Sequence, residues 1–181
     1  MHNYKCLTKQ KFYKGDYTLI PIRYEDRFDI MEWRNEQIFH LRQSEPLTKI
    51  KQDFYFTTVV SKLFKEEQPN QILFSLLKKG VLIGYGGLVH INWIDKNAEI
   101  SFIMNTLLEK NQFAEVWSRY LELLELVAFK ELGLRKIYVY AFDLRKHLYS
   151  MLEDNNYFLD ARLKDHCFVN LLFKDVVIYS K

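Results

Sequence analysis

Residues 71–105, QILFSLLKKGVLIGYGGLVHINWIDKNAEISFIMN, read as three β-rich runs broken by KKG and by WIDKNA. Breaks this short join antiparallel neighbours, because a parallel crossover needs about a dozen residues or more. The middle of the chain is therefore committed to an antiparallel meander. Within this stretch the tetrapeptide GYGG alone holds three of the chain's 6 glycines, Gly84, Gly86 and Gly87. A phosphate-cradling loop sets its glycines between a strand and a helix, so that amides at the helix start face the anion. Here GYGG continues into LVHINW, an alternating run, with neither GK[ST] nor GxGxxG. The glycines are expected inside a strand, where a missing side chain admits another backbone or a ligand, or marks a bulge.

The flanking segments supply the helices. YTLIPIR, 17–23, alternates as a first strand, and YEDRFDIMEWRN after it carries Phe28, Met31 and Trp33 at near-helical spacing, ending near Asn35. Residues 49–66 place Ile50, Phe54, Thr57, Val60, Leu63 and Phe64 on one stripe, with Thr48 as N-cap. From Ala114 to Leu132 a third helix presents Val116, Tyr120, Leu123, Leu124, Val127 and Ala128, and Gly133 ends it. KIYVYAF is a strand, LRKHLYSMLEDNN a short helix, and 158–168 and 170–179 a last pair of strands. The order is β-α-α-β-β-β-α-β-α-β-β.

With 181 residues, 49% hydrophobic and 27% charged, the chain suits one globular domain and not a disordered one. A net charge of +3 with scattered basic residues does not make a nucleic-acid stripe, and no apolar run is long enough to span a membrane. Cys6 and Cys167 stand apart without metal-ligand spacing, so no metal is expected and a reducing, cytoplasmic setting is.

WRN in the first helix, LRQ before the second, IGYGGLVHINW, AEISF and LDARLKDH, in this order, resemble the GNAT family of acetyl-coenzyme A-dependent N-acetyltransferases. The resemblance is to the branch holding ribosomal-protein N-terminal and bacterial amino-sugar N-acetyltransferases. It implies a single α+β domain over 1–181 with a mixed, mostly antiparallel sheet of about seven strands flanked by helices, and 1–16 as a loosely ordered extension. It implies acetyl-CoA as donor and a small-molecule amine as acceptor, such as a nucleotide-linked amino sugar; a protein N-terminus, or a non-catalytic coenzyme-binding role, is the alternative. Neither nucleic acid nor membrane is an expected partner, and the chain is expected as a monomer or homodimer.

By resemblance, the backbone of Phe102, Ile103 and Met104 pairs with the pantetheine arm, where the AEISF strand splays from its parallel neighbour. Family members usually carry a glycine-bearing loop before the long helix for the pyrophosphate. This chain has LLEKNQFAEVW there, so donors are expected from Lys110, Asn111 and Gln112 and from the amides of Phe113 and Ala114. In the short helix, Arg145 takes the position of a usual Asn and is expected to bind the coenzyme, and Leu152 takes that of a usual Tyr acid, leaving Tyr149, one turn earlier, as substitute acid or as a packed helix residue.

The acetyl acceptor must lose a proton. A four-residue turn at 94–97 sets Asn92 opposite Glu99 and His90 opposite Ser101, with Val89, Ile91, Trp93, Ile100 and Phe102 on the other face. Glu99 is then the candidate base, or a surface carboxylate in an ion pair, and His90 its relay, or a solvated histidine. Trp33, Arg34, Asn35 and Arg42 fall on the acceptor side of the resembled fold, where the arginines suit a phosphate or carboxylate; the alternative is a core Trp33 with surface-paired arginines. Arg162 and Lys164 face the acceptor or are solvated.

Overall fold

The meander is present in the computed structural model, which describes residues 2–169 and 171–181: β3 (Ile72–Lys78), β4 (Val81–Asn92) and β5 (Asn97–Met104). Around it lie β1 (Phe12–Lys14), β2 (Tyr17–Pro21), α1 (Arg27–Glu36), α2 (Lys49–Tyr55), α3 (Thr106–Glu125), β6 (Lys136–Phe142), α4 (Lys146–Asp154), β7 (Phe158–Val169) and β8 (Leu172–Ser180). Asn170, expected to open the last strand, lies outside the described residues. The 8 strands form one sheet in the order β1-β2-β3-β4-β5-β6-β8-β7, antiparallel except between β5 and β6. No helix among the described residues is long and apolar enough to cross a membrane.

The strand beyond the expected number is β1, and it belongs to the stretch expected to be loose. Tyr4 is 1% exposed, and its hydroxyl bridges the backbone of Leu73, donating to the carbonyl and accepting from the N–H, both at 2.9 Å. The Gln10 amide nitrogen donates to the carbonyls of Tyr4 and Leu7. A fully buried phenol satisfied on both sides fixes the segment in the core, so the extension is folded from Tyr4 onward.

The second helix forms with the expected cap, Thr48 Oγ1 accepting from the Lys51 N–H at 3.2 Å. Of its expected stripe Val60, Leu63 and Phe64 are buried, whereas Thr57 is exposed, Ile50 is 82% and Phe54 65% exposed, and Gln52 and Phe56 face the core in their place. Gln52 is drawn inward because its amide donates to the Arg27 carbonyl (2.9 Å), and a π-helical turn over Phe56–Val60 changes the phase. The third helix buries the whole expected stripe and ends before Gly133 at φ +62°. It begins at Thr106, about two turns before the expected Ala114, because Asn105 caps it and LLEKNQ contains good helix formers and no glycine.

The glycines lie inside β4. A Cβ on Gly86 would collide with the Ser101 carbonyl and come within 2.7 Å of the Tyr120 hydroxyl, and one on Gly87 would collide with the Ile72 carbonyl. Close approach of the neighbouring strands is what these positions demand.

Candidate active site

The parallel pairing of β5 with β6 is confined to Asn97–Glu99 against Lys136–Tyr138. Beyond it the strands diverge around a cleft of about 210 Å³, whose walls are Ile100 to Ile103 of β5 and Val139 to Phe142 of β6. The side chains of β5 alternate. Phe102 turns to α3, stacking on Tyr120 at 3.9 Å and edge-on to Trp117, while Glu99 and Ser101 turn to the other face. Above the cleft stand His40, Arg42 and Arg145.

Glu99 is 6% exposed at the inner end of the cleft, opposite Val89. Arg42 donates to Glu99 Oε1 and lies 4.7 Å over the Tyr140 ring; His90 Nε2 is 3.9 Å from Glu99 Oε2. Burial raises the carboxyl above its ordinary pKa, and Arg42 and His90 pull it back. The result is a shielded carboxylate with its proton affinity increased, and one exposed imidazole leading to water.

A second cavity of about 300 Å³ adjoins the first, the two sharing Arg34 and Ser101. Its walls are apolar (Ile22, Ile30, Leu47, Phe56, Leu73, Val89), with Lys51, Gln52, Tyr55, Gln71 and Tyr85 as polar groups. Arg34 Nη1 donates to the Tyr85 hydroxyl (2.7 Å) and Nε to Gln43 (3.0 Å), so the guanidinium is held at the junction by two fixed acceptors.

Residues 20–170 match the family model described as the acetyltransferase (GNAT) domain. The chain belongs to the GNAT acetyltransferases. Its structure is similar to spermidine N-acetyltransferase from Vibrio cholerae in complex with CoA and spermine, at 20% identity and TM-score 0.76 over 93% of this chain and 96% of that one. A mutant of the same enzyme gives TM-score 0.74 at 20% identity over 93% and 94%, and a probable acetyltransferase 0.70 at 20% over 94% and 96%. Transfer by a GNAT enzyme uses acetyl-CoA as donor. The residues present fit it: past Glu99, β5 turns an edge with no strand partner toward the cleft, where a peptide-like arm would pair, and cationic side chains ring the cleft mouth.

Several expected site residues fall elsewhere in this GNAT domain. Lys110, Asn111, Gln112, Phe113 and Ala114 are not a loop but the second and third turns of α3, so their amides are spent in the helix. Tyr149 is not at the cleft: its hydroxyl donates to Asp143 (2.6 Å) and its ring stacks on Tyr179. Burial and Asp143 push that phenol upward, making it a weaker acid. Trp33 is packed in the core, and Asn35 holds the loop after α1 through both bonds to Leu47. Neither lines the cleft or the cavity beside it. Arg162 pairs with Asp143 and Asp175.

The hairpin register also differs. The turn occupies 93–96, Asn92 meets Asn97, and a bulge between Val89 and Asn92 puts His90 at φ +50°. Glu99 thus faces Val89, and Ser101 faces Gly87; the bulge, not the pleat, carries His90 toward Glu99. Tyr85, Tyr140, His40 and Lys51 were missed as site residues. Tyr85 stands inside GYGG itself, and Tyr140 alternates with Val139 in KIYVYAF, so both were visible as polar-tipped residues on strands of the motif.

Proposed function

We propose that the protein acetylates the primary amine of a small molecule that also carries negative charge, a nucleotide-linked amino sugar being the class that suits the site. The supporting observation is the charge of the lining. Among the residues of the two joined cavities Glu99 is the single carboxylate, and Arg42 already pairs with it, whereas Arg34, Arg42, Arg145 and Lys51 are cationic. Lys51 is paired at the rim with exposed Glu45. Such a lining repels a polyamine and attracts a phosphate or carboxylate, which Arg34 meets with the guanidinium edge left free by Tyr85 and Gln43. The structurally similar Vibrio cholerae enzyme is a spermidine N-acetyltransferase; the cationic lining here favours a different class of acceptor.

Acetyl-CoA supplies an activated thioester. Glu99 accepts the proton of the acceptor ammonium, through one water, and its burial keeps it basic enough to do so. His90 passes that proton to solvent. Arg42 fixes the carboxylate and packs on Tyr140, which lines the cleft and gives the leaving sulfur its proton, regaining one from the acylated nitrogen; Leu152, at the position of the usual acid, has no proton to give. Thiol release with acetyl-CoA tests the reading: a nucleotide-linked amino sugar is expected to turn over faster than spermidine at equal concentration. Preference for spermidine would reject the anionic acceptor.

A further inference from the structure

Resting on the reading that acetyl-CoA binds in the cleft, we propose that Arg145 anchors the coenzyme's diphosphate and that Glu109 occupies this anchor until the diphosphate displaces it. The α3 N-terminus, where the family resemblance would put the anion, is already satisfied. The Leu107 N–H bonds Asn105 Oδ1 (2.9 Å), the Leu108 N–H bonds the Asn105 carbonyl (3.0 Å), and the Thr106 hydroxyl donates to the Glu36 carboxylate (2.5 Å). A carboxylate at that end opposes a second anion.

Arg145 stands across the cleft mouth, at the start of α4. Its side chain is 12% exposed, lines the cleft, and lies 5.6 Å from the Phe113 ring centroid. Among the described residues its hydrogen-bond partner is Glu109 alone, through Nη1 at 3.1 Å. A guanidinium offers five N–H donors in a planar fork matched to phosphate, so most of this one remains unspent. The pair joins α3 to α4 across the opening. His147 edges against Phe113 (4.4 Å), and His40, on the same lining, is held neutral by burial and by Arg145, so Glu109 is the charged partner that Arg145 has here. Exchange of one carboxylate for a diphosphate opens the clasp and leaves the guanidinium paired with an anion.

Calorimetric titration with acetyl-CoA and with S-acetylpantetheine, which lacks the diphosphate, separates the two ends of the coenzyme. Arg145→Gln is expected to weaken acetyl-CoA by about tenfold or more and to leave S-acetylpantetheine unchanged. Glu109→Gln is expected to tighten acetyl-CoA a few-fold, since the competitor is gone. Equal losses for both ligands, or none, in Arg145→Gln would overturn the anchor; weaker acetyl-CoA binding in Glu109→Gln would overturn the displacement. Should Arg145→Gln not fold, Arg145→Lys carries the test, and wild-type affinity there would reject the fork. Failure of the unaltered protein to bind either ligand would reject the coenzyme reading itself.

Discussion

Glu99 joins burial to chemistry, and its titration sets the pH dependence. Catalysis needs the ionised carboxylate, so kcat/KM rises with pH through a limb above the ordinary carboxylate range, since burial raises this group. Glu99→Gln is expected to remove the limb and lower kcat about 100-fold. Arg42→Gln, deleting the cation that most opposes burial, should move the limb to higher pH. Limbs at the same pH in wild type and Arg42→Gln would show that a different group is titrating. Tyr140→Phe should slow turnover and Tyr149→Phe should not; the reverse order would return the acid role to Tyr149. His40 gives a stability prediction: its pKa is pushed down to about 3, chiefly by burial, so the folded state binds fewer protons than the unfolded one between about 6.5 and 3. Stability from this site is present above about 6.5 and declines as pH falls toward 3; His40→Gln should flatten that part of the urea-midpoint curve. Glu99, Arg34 and Arg42, expected at the site from their charge beside a β hairpin or a helix end, do line the cleft. Of the two readings open for Tyr149, the structure places it as a packed helix residue, because Asp143 takes its hydroxyl.

At the scale of elements, periodicity decided the outcome where one face is buried and failed where local capping or bulging intervened. The α3 stripe was legible at every position, since each side chain on it is buried against the sheet. Its start was not: a family habit suggested a loop, whereas Asn105 and a glycine-free LLEKNQ carry the helix to the end of β5. The β4–β5 register was misread for a related reason, because the bulge at His90 shifts pairing without leaving a mark in the alternation. GYGG was read correctly as strand. Gly87→Ala should therefore cost about 2 kcal/mol or more by urea unfolding, as its Cβ meets the Ile72 backbone. Gly15, in a turn at φ +55° with nothing within 4 Å, should lose only about 1 kcal/mol as Ala. Equal costs would deny that strand approach is what Gly87 provides.

At the scale of the molecule, the sheet opens between β5 and β6 beyond Glu99, and the residues assigned to function gather around that opening and the cavity beside it. The N-terminal segment braces β3 through Tyr4 at Leu73, a wall of that second cavity. Tyr4→Phe should lower stability by about 1–3 kcal/mol, because the Leu73 N–H loses its partner in the core while its carbonyl keeps the Ile22 N–H; an unchanged urea midpoint would show the segment to be dispensable. The central claim is that the free edge of β5 receives the coenzyme. Hydrogen exchange with and without acetyl-CoA measures it directly. Slower exchange is predicted at residues 100–104 and 139–142, with the β7–β8 hairpin unchanged; binding that leaves 100–104 at the free rate would contradict it.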